Sequence, residues 1–141
     1  MTLTVNGDIT TSTITDATGN YMLSLPAGGS YIVTPSKTGL LPGSSGINTV
    51  DVVATQRHFL NIALLSGCRL IAADVNGDNA VNTVDVVAIQ RFFLILSTGT
   101  ANVGKYQFNP ANRTYLSVTN DQTSQNYDAL IFGDVTSPFV E

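Results

Sequence analysis

The chain has 141 residues, which is enough for one ordinary domain or two small ones and too few for a large multidomain enzyme. Only 11% of the residues are charged and the net charge is −4, so no basic surface is available to neutralise the phosphates of a nucleic acid. No apolar run approaches the roughly 18 residues of a membrane span. The single cysteine, Cys68, excludes an intrachain disulfide and a cysteine-based zinc site.

The kind of acidic residue also indicates a class of protein. Every acidic residue is Asp except the terminal Glu141, and Thr, Ser, Asn and Gly are abundant. This composition is typical of a secreted, β-rich protein whose Asp residues lie in turns and metal-binding loops. We therefore expect an extracellular or cell-surface location.

The N-terminal part of the chain has the pattern of short antiparallel strands. Runs rich in Thr, Tyr and Val at 3–5, 9–15, 21–25 and 31–34 are separated by turn residues, such as Asn6-Gly7, Gly19-Asn20 and the segment 26–29. The same pattern returns after residue 104, with predicted strands at 106–109, 114–118 and 127–132. The central part of the chain interrupts this β region.

Residues 47–62 and 81–96 are two copies of one sequence. They read INTVDVVATQRHFLNI and VNTVDVVAIQRFFLIL, with 11 of 16 positions identical. An Asn-Thr pair opens each copy and suits a helix N-cap, and the Asp that follows (Asp51 or Asp85) suits the first turn of a helix. Since the apolar residues also recur at near-helical spacing, we predict a helix in each copy.

The segment DVNGDNAVNTVD at 74–85 has the ligand spacing of an EF-hand calcium loop. Calcium prefers six to eight oxygen ligands, and alternate positions of a tight loop direct their side chains inward. The predicted ligands at loop positions 1, 3, 5, 7, 9 and 12 are Asp74, Asn76, Asp78, the Ala80 carbonyl, Asn82 and Asp85. Position 6 is Asn79 in place of Gly, and Asn is the non-Gly residue that best tolerates a left-handed turn. The alternative is an Asp/Asn-rich turn without a metal.

The first copy lacks the carboxylates of such a loop. Counting back from Asp51 places Leu40, Pro42 and Ser44 at positions 1, 3 and 5. A second calcium site would therefore retain Gly46, Asn48 and Asp51 and would need an oxygen ligand from elsewhere, such as Asp134. The alternative is a vestigial loop stabilised by packing.

The motif ADVNGDNAVNTVDVVAIQRFFL, with the partial copy GINTVDVVATQRHFL, resembles the dockerin type I repeat over residues 46–96. In that family two half-EF-hands form a helix pair that binds cohesin domains in extracellular assemblies. The resemblance thus implies calcium and a cohesin-like protein partner. The positions that match the family's partner contacts are Thr49, Val50, Gln56, Arg57, Thr83, Val84, Gln90 and Arg91.

Two flanking segments resemble the halves of a carboxypeptidase regulatory-like domain, which is a transthyretin-like or Cna-B-like β-sandwich of bacterial surface proteins. They are TTSTITDATGNYMLSLPAGGSYIVTPSKTG and KYQFNPANRTYLSVTNDQTSQNYDALI. The resemblance implies an α+β fold, with a discontinuous β-sandwich at 1–39 plus 104–135 and a dockerin-like helix pair at 40–103. The opening strand of such domains has no counterpart here. Strand addition from another copy or from the tail at 135–140 would supply it; the alternative is a cut within a repeat array.

The sequence contains no catalytic motif that would indicate an enzyme. The only histidine, His58, is replaced by Phe92 in the second copy, so this position suits a packed ring rather than a catalytic base. We expect a calcium-binding, non-catalytic structural or protein-interaction module. The alternatives are a fibre or adhesin subunit assembled by strand complementation and a carbohydrate-binding module.

Overall fold

The computed structural model describes residues 1–137, and along them helices and antiparallel sheet confirm the predicted α+β class. No helix in this range is both long and apolar enough to cross a membrane. In chain order the elements are β1 (Thr2–Gly7), β2 (Thr11–Ile14), β3 (Tyr31–Ser36), α1 (Thr49–Phe59), α2 (Gly67–Ala73), α3 (Thr83–Phe93), β4 (Tyr106–Asn109), β5 (Arg113–Tyr115) and β6 (Asp128–Ile131).

The chain forms two compact units. The β unit comprises Met1–Lys37 with Phe108–Ala129, and the helical unit comprises Thr38–Gln107 with the described residues from Leu130 onward. The segment from Leu130 thus belongs with the helices, whereas the sequence prediction grouped residues 130–135 with the β part. The specific transthyretin-like sandwich stays a prediction.

The larger antiparallel sheet lies in the β unit and has the strand order β2-β1-β3-β5. A separate two-stranded sheet pairs β4 with β6. Alternation of apolar and polar residues decides which face of the larger sheet is buried. Leu3 and Val5 of β1 and Tyr31 and Val33 of β3 are buried, and Val5 lies opposite Val33 in the register. These four side chains form the core of the unit.

The predicted strand at 21–25 is wrong, since residues 20–30 contain no strand. The alternation that suggested it is nevertheless present, because Tyr21, Leu23 and Leu25 pack against the core while Met22 is 81% exposed. Nowhere in residues 1–137 does the backbone of 21–25 have a hydrogen-bond partner. A strand needs a neighbouring ladder as well as an apolar face.

The helical unit contains a helix in each copy of the duplicated sequence, as predicted. Helices α1 and α3 contact each other, and each begins at an Asn N-cap with a complete capping box formed with Asp51 or Asp85. The core of the unit includes Ile47, Ile89 and Phe92. The short helix α2, between the copies, was not predicted, because its seven residues are too few for a readable periodicity.

Candidate metal centre

The loop between α2 and α3 is wound around the carboxylate of Asp74. Its Oδ1 accepts hydrogen bonds from the backbone N–H of Gly77 and Asp78, at 2.8 and 3.2 Å, and its Oδ2 accepts one from Asn79 at 2.9 Å. Asn79 has the left-handed conformation expected at loop position 6, with φ of 66°. Three successive N–H groups thus point toward one acidic side chain, and they fix its orientation.

Asp85 closes the loop from the first turn of α3. Its side chain is fully buried. Oδ1 accepts hydrogen bonds from the backbone N–H of Val75 at 3.0 Å and of Asn76 at 3.3 Å, and Oδ2 accepts one from the backbone N–H of Asn82 at 2.9 Å. Burial raises the pKa of the Asp85 carboxyl; the three hydrogen bonds oppose this rise and the nearby Asp74 charge adds to it. Asp85 lies two residues after the start of α3, so its short side chain extends from the first turn of the helix.

The remaining candidate ligands belong to the same hydrogen-bonded loop. Asp78 Oδ1 accepts from Ala80 N and Asp78 Oδ2 from the Asn76 side-chain amide, each at 2.9 Å. The Asn82 side chain donates to the Ala80 carbonyl at 3.2 Å and accepts from Val84 N at 2.8 Å. The structure therefore brings the six predicted ligands into one local network.

The first copy contains a matching arrangement that is assembled from two distant segments. Asp51 Oδ2 accepts from Asn48 N at 2.9 Å, as Asp85 does from Asn82. Asp51 Oδ1 accepts from Val135 N at 2.9 Å and from Thr136 N and Oγ1 at 3.0 and 2.8 Å. Val135 and Thr136 thus hold the places that Val75 and Asn76 hold in the second copy.

Asp134 extends the correspondence to loop position 1. It lies immediately before Val135, as Asp74 lies before Val75, and it accepts from Ser137 N three residues on at 3.2 Å, as Asp74 accepts from Gly77. Gly46, the other predicted member, is exposed. The sequence predicted Asp134 as a member of this site but not Val135 and Thr136. The feature that could have revealed them is the match between 134–136 and 74–76, since each segment is Asp-Val followed by a small polar residue.

All eight predicted partner-contact residues lie on exposed positions of α1 and α3. Thr49 and Thr83 begin the helices, and Val50 and Val84 follow them with 59% and 58% of their surface exposed. Gln56, Arg57, Gln90 and Arg91 lie in the second half of each helix, where Arg91 donates to the Ser97 carbonyl. Val53 and Val87, which were not predicted, are also exposed and lie one turn beyond Val50 and Val84 on the same helix face.

The donor set of the 74–85 loop fits a hard divalent cation. The predicted ligand atoms are all oxygens, which suit calcium or magnesium better than zinc. The carboxylates accept from backbone N–H groups and one amide, so a cation would displace no charged partner. Across residues 1–137 no three His, Cys, Asp or Glu side chains converge as a metal-binding group, so Asp74, Asp78 and Asp85 are not gathered around one point here. The other three predicted ligands are amide or carbonyl oxygens.

Comparison of the chain with protein-family models, with curated proteins and with solved structures gives no match.

Proposed function

We propose that this chain is a calcium-stabilised, non-catalytic protein-interaction module of a secreted or cell-surface protein. The single observation that carries the proposal is the 74–85 loop. Its oxygen ligands have the full EF-hand spacing, and its backbone is wound around Asp74 and capped on Asp85. Bound calcium would supply positive charge to the three carboxylates of the loop, those of Asp74, Asp78 and Asp85.

The residues of the loop would couple the metal to the start of α3. Asp85 is at once the last predicted ligand and the residue that completes the capping box of Asn82. Holding its carboxylate therefore fixes both the loop and the first turn of the helix. The structural consequence is a rigid helix pair, and no proton transfer or bond cleavage is required of any residue.

Asp51, Asn48, Gly46 and Asp134 would form a second, weaker calcium site. The matching hydrogen bonds of Asp51 and Asp85 support this proposal. This site has only two carboxylates, and Thr136 replaces the Asn found at the same place in the second copy. A lower affinity follows, because affinity depends on the number of charged ligands.

The exposed valines support a protein as the partner. Val50 and Val53 of α1 repeat as Val84 and Val87 of α3, so each helix presents the same apolar pair to solvent. Apolar side chains that are held rigidly on helices suit recognition by another folded protein. A cohesin-like domain is the partner that the sequence resemblance implies.

Calorimetric titration of calcium into metal-stripped protein tests this function. We expect one tight and one weaker binding event, and a higher melting temperature with calcium than with chelator; at one hundred times the dissociation constant the stabilisation should be about 2.7 kcal/mol. The double variant Asp74→Asn/Asp78→Asn should lose the tight event, and Asp134→Asn should lose only the weak one.

A matched control is Asp121→Asn/Asp128→Asn, which removes the same charge from exposed positions outside the loops. It should bind calcium as the unchanged protein does. Absence of binding heat together with an unchanged melting temperature would overturn the calcium proposal. A single event in the unchanged protein would overturn only the second site.

A further inference from the structure

The β unit contains a cleft of about 960 Å³. Two segments without regular structure, 19–25 and 120–126, provide most of its lining, and the side chains of Tyr31, Val33, Tyr115 and Val118 complete it. The volume lies at the upper end of the range for ligand pockets in proteins. The cleft is remote in sequence from the calcium loop and shares no residue with it.

The first lining segment has the side-chain arrangement of a strand without the hydrogen bonds of one. Tyr21, Leu23 and Leu25 pack against the core of the unit, and Met22 and Ser24 between them are exposed. None of the backbone N–H or C=O groups of 21–25 is bonded within residues 1–137. Such a row of unpaired backbone groups is a template for an additional strand.

The second lining segment also offers unpaired donors. No backbone N–H of residues 120–126 donates to any atom of the described chain. By contrast, several of its carbonyls already accept side-chain hydrogen bonds, from Tyr21 to Gln125 and from Arg113 to Asn126. Both sides of the cleft therefore present main-chain groups rather than specialised side chains.

The tyrosines around the cleft are structural. Tyr31 donates its hydroxyl hydrogen bond to the Pro26 carbonyl at 2.8 Å, Tyr115 to the Gln125 side chain at 3.0 Å and Tyr127 to the Val33 carbonyl at 3.0 Å. Burial raises the pKa of Tyr127 to about 12, which agrees with a ring held away from water. Because these hydroxyls are already engaged, they are poor donors to a sugar.

Charge further selects the ligand. The lining carries one formal charge, that of Asp121, and no Lys or Arg. Arg113 lies beside this lining, but its guanidinium donates to the Asn126 carbonyl and lies over the Tyr127 ring, whereas the Asp121 carboxylate is exposed and would attract a basic peptide. An extended peptide also satisfies both the unpaired backbone and the apolar part of the lining, which no small anion does.

We propose that this cleft accepts an extended β-strand from another polypeptide, which pairs with the backbone of 21–25 and places alternate apolar side chains along the lining of the cleft. A strand that spans these five residues is about 16 Å long. A basic residue of the incoming strand would lie near Asp121. The strand predicted at 21–25 would then form when its missing neighbour is supplied.

A synthetic peptide of about seven residues tests this proposal, with valine and threonine alternating behind one lysine. We expect saturable binding by tyrosine fluorescence, and slower hydrogen exchange at the amides of 21–25. A peptide of the same composition in which valine and threonine no longer alternate should bind weakly. Replacing the lysine of the original peptide by glutamate should also weaken binding, because the glutamate would be repelled by Asp121.

Proline variants identify the backbone contact. Consecutive N–H groups point to opposite sides of a strand, so one of Met22→Pro and Leu23→Pro should weaken peptide binding about tenfold through the loss of one hydrogen bond. Met22→Ala and Leu23→Ala are the matched controls that keep the N–H. If the Leu23→Pro variant fails to fold, hydrogen exchange of the unchanged protein still decides the question.

Peptide binding is measured once with calcium and once with chelator, and we expect the same affinity in both. Loss of peptide binding would therefore be distinguishable from loss of calcium binding. The proposal is overturned if the peptide gives no saturable binding or leaves exchange at 21–25 unchanged. Concentration-dependent self-association that protects 21–25 and excludes the peptide would assign the cleft to a second copy instead. Binding of soluble oligosaccharides in place of the peptide would assign it to carbohydrate.

Discussion

Asp51 and Asp85 are the two residues on which the helical unit most depends. Each is fully buried, each closes a capping box, and each accepts hydrogen bonds from a segment that lies beside its helix. A buried carboxylate with such a set of donors cannot be replaced by its amide without placing N–H groups against N–H groups.

Replacing Asp51 by Asn should lower the free energy of unfolding by about 2 to 3 kcal/mol, because the new amide leaves buried donors unsatisfied. Urea denaturation in the presence of chelator measures this loss without any contribution from metal. Thr136→Val, which removes only the hydroxyl donor to Asp51, should cost about 1 kcal/mol. Equal urea midpoints for Asp51→Asn and the unchanged protein would contradict the structural role of this carboxylate.

The roles of these two residues were not equally readable from the sequence. The partners of Asp85 lie within ten residues of it, in a loop whose spacing is a known pattern. By contrast, the partners Val135 and Thr136 lie 84 and 85 residues from Asp51, and only the short match of Asp-Val at 134–135 could have indicated them. Local spacing predicts local geometry, whereas a contact across most of the chain depends on the whole fold.

The ends of α1 and α3 show how the two copies have diverged. Each helix is followed by a C-cap leucine and then by a residue in the left-handed conformation, which is Asn61 after α1 and Ile95 after α3. Asn tolerates positive φ, but a β-branched residue such as Ile is strained there. Ile95 is also 72% exposed, so little burial offsets the strain.

Exchange of these two residues tests the strain directly. Ile95→Asn should raise the free energy of unfolding by about 1 kcal/mol, and Asn61→Ile should lower it by a similar amount. The two substitutions are reciprocal, so each is the matched control of the other in urea denaturation. A change in the same direction for both would show that backbone conformation is not what distinguishes the two helix ends.

Elements with their own local signals were the ones that the sequence predicted well. The duplicated helices have N-caps, acidic first turns and periodic apolar residues, and both are present. The run at 21–25 has the correct alternation, but strand formation also requires a partner, which is a property of its surroundings. The helix α2 has neither a side-chain cap nor enough length to produce a pattern.

At the scale of the whole molecule, each unit has a separate apolar core. Leu3, Val5 and Tyr31 belong to the core of the β unit, and Ile47 and Ile89 belong to that of the helical unit. The three helices all lie in the helical unit, whereas four of the five tyrosines lie in the β unit. Two optical signals can therefore follow the two cores separately.

Chelation of calcium should lower the melting temperature of the helical signal in far-ultraviolet circular dichroism, by about 4 to 8 °C for each kcal/mol of binding energy lost. The near-ultraviolet tyrosine signal should melt at the same temperature with and without metal. Asp74→Asn/Asp78→Asn provides the control, since its melting should not respond to chelator. Equal shifts of both signals would indicate a single cooperative molecule and contradict independent cores.

The general class of the fold was readable from the alternation and the duplication, but the grouping of the C-terminal segment was not. Residues 127–132 have a strand pattern, and β6 (Asp128–Ile131) is present there. From Leu130 onward, however, the chain belongs to the helical unit through buried side chains such as Val135. Periodicity within a segment does not say which core will bury it.

The two buried carboxylates also imply an order of folding. Asp85 closes a loop of 10 residues, whereas Asp51 joins segments separated by 84 residues. Because the entropic cost of closing a loop grows as the logarithm of its length, forming the contacts of Asp51 costs roughly 2 kcal/mol more free energy than forming those of Asp85. The loop at 74–85 can therefore organise as soon as its own residues emerge during synthesis. Its counterpart at Asp51 must wait for Val135 and Thr136, which follow it by 84 and 85 residues, so it forms after both helices of the duplication have emerged.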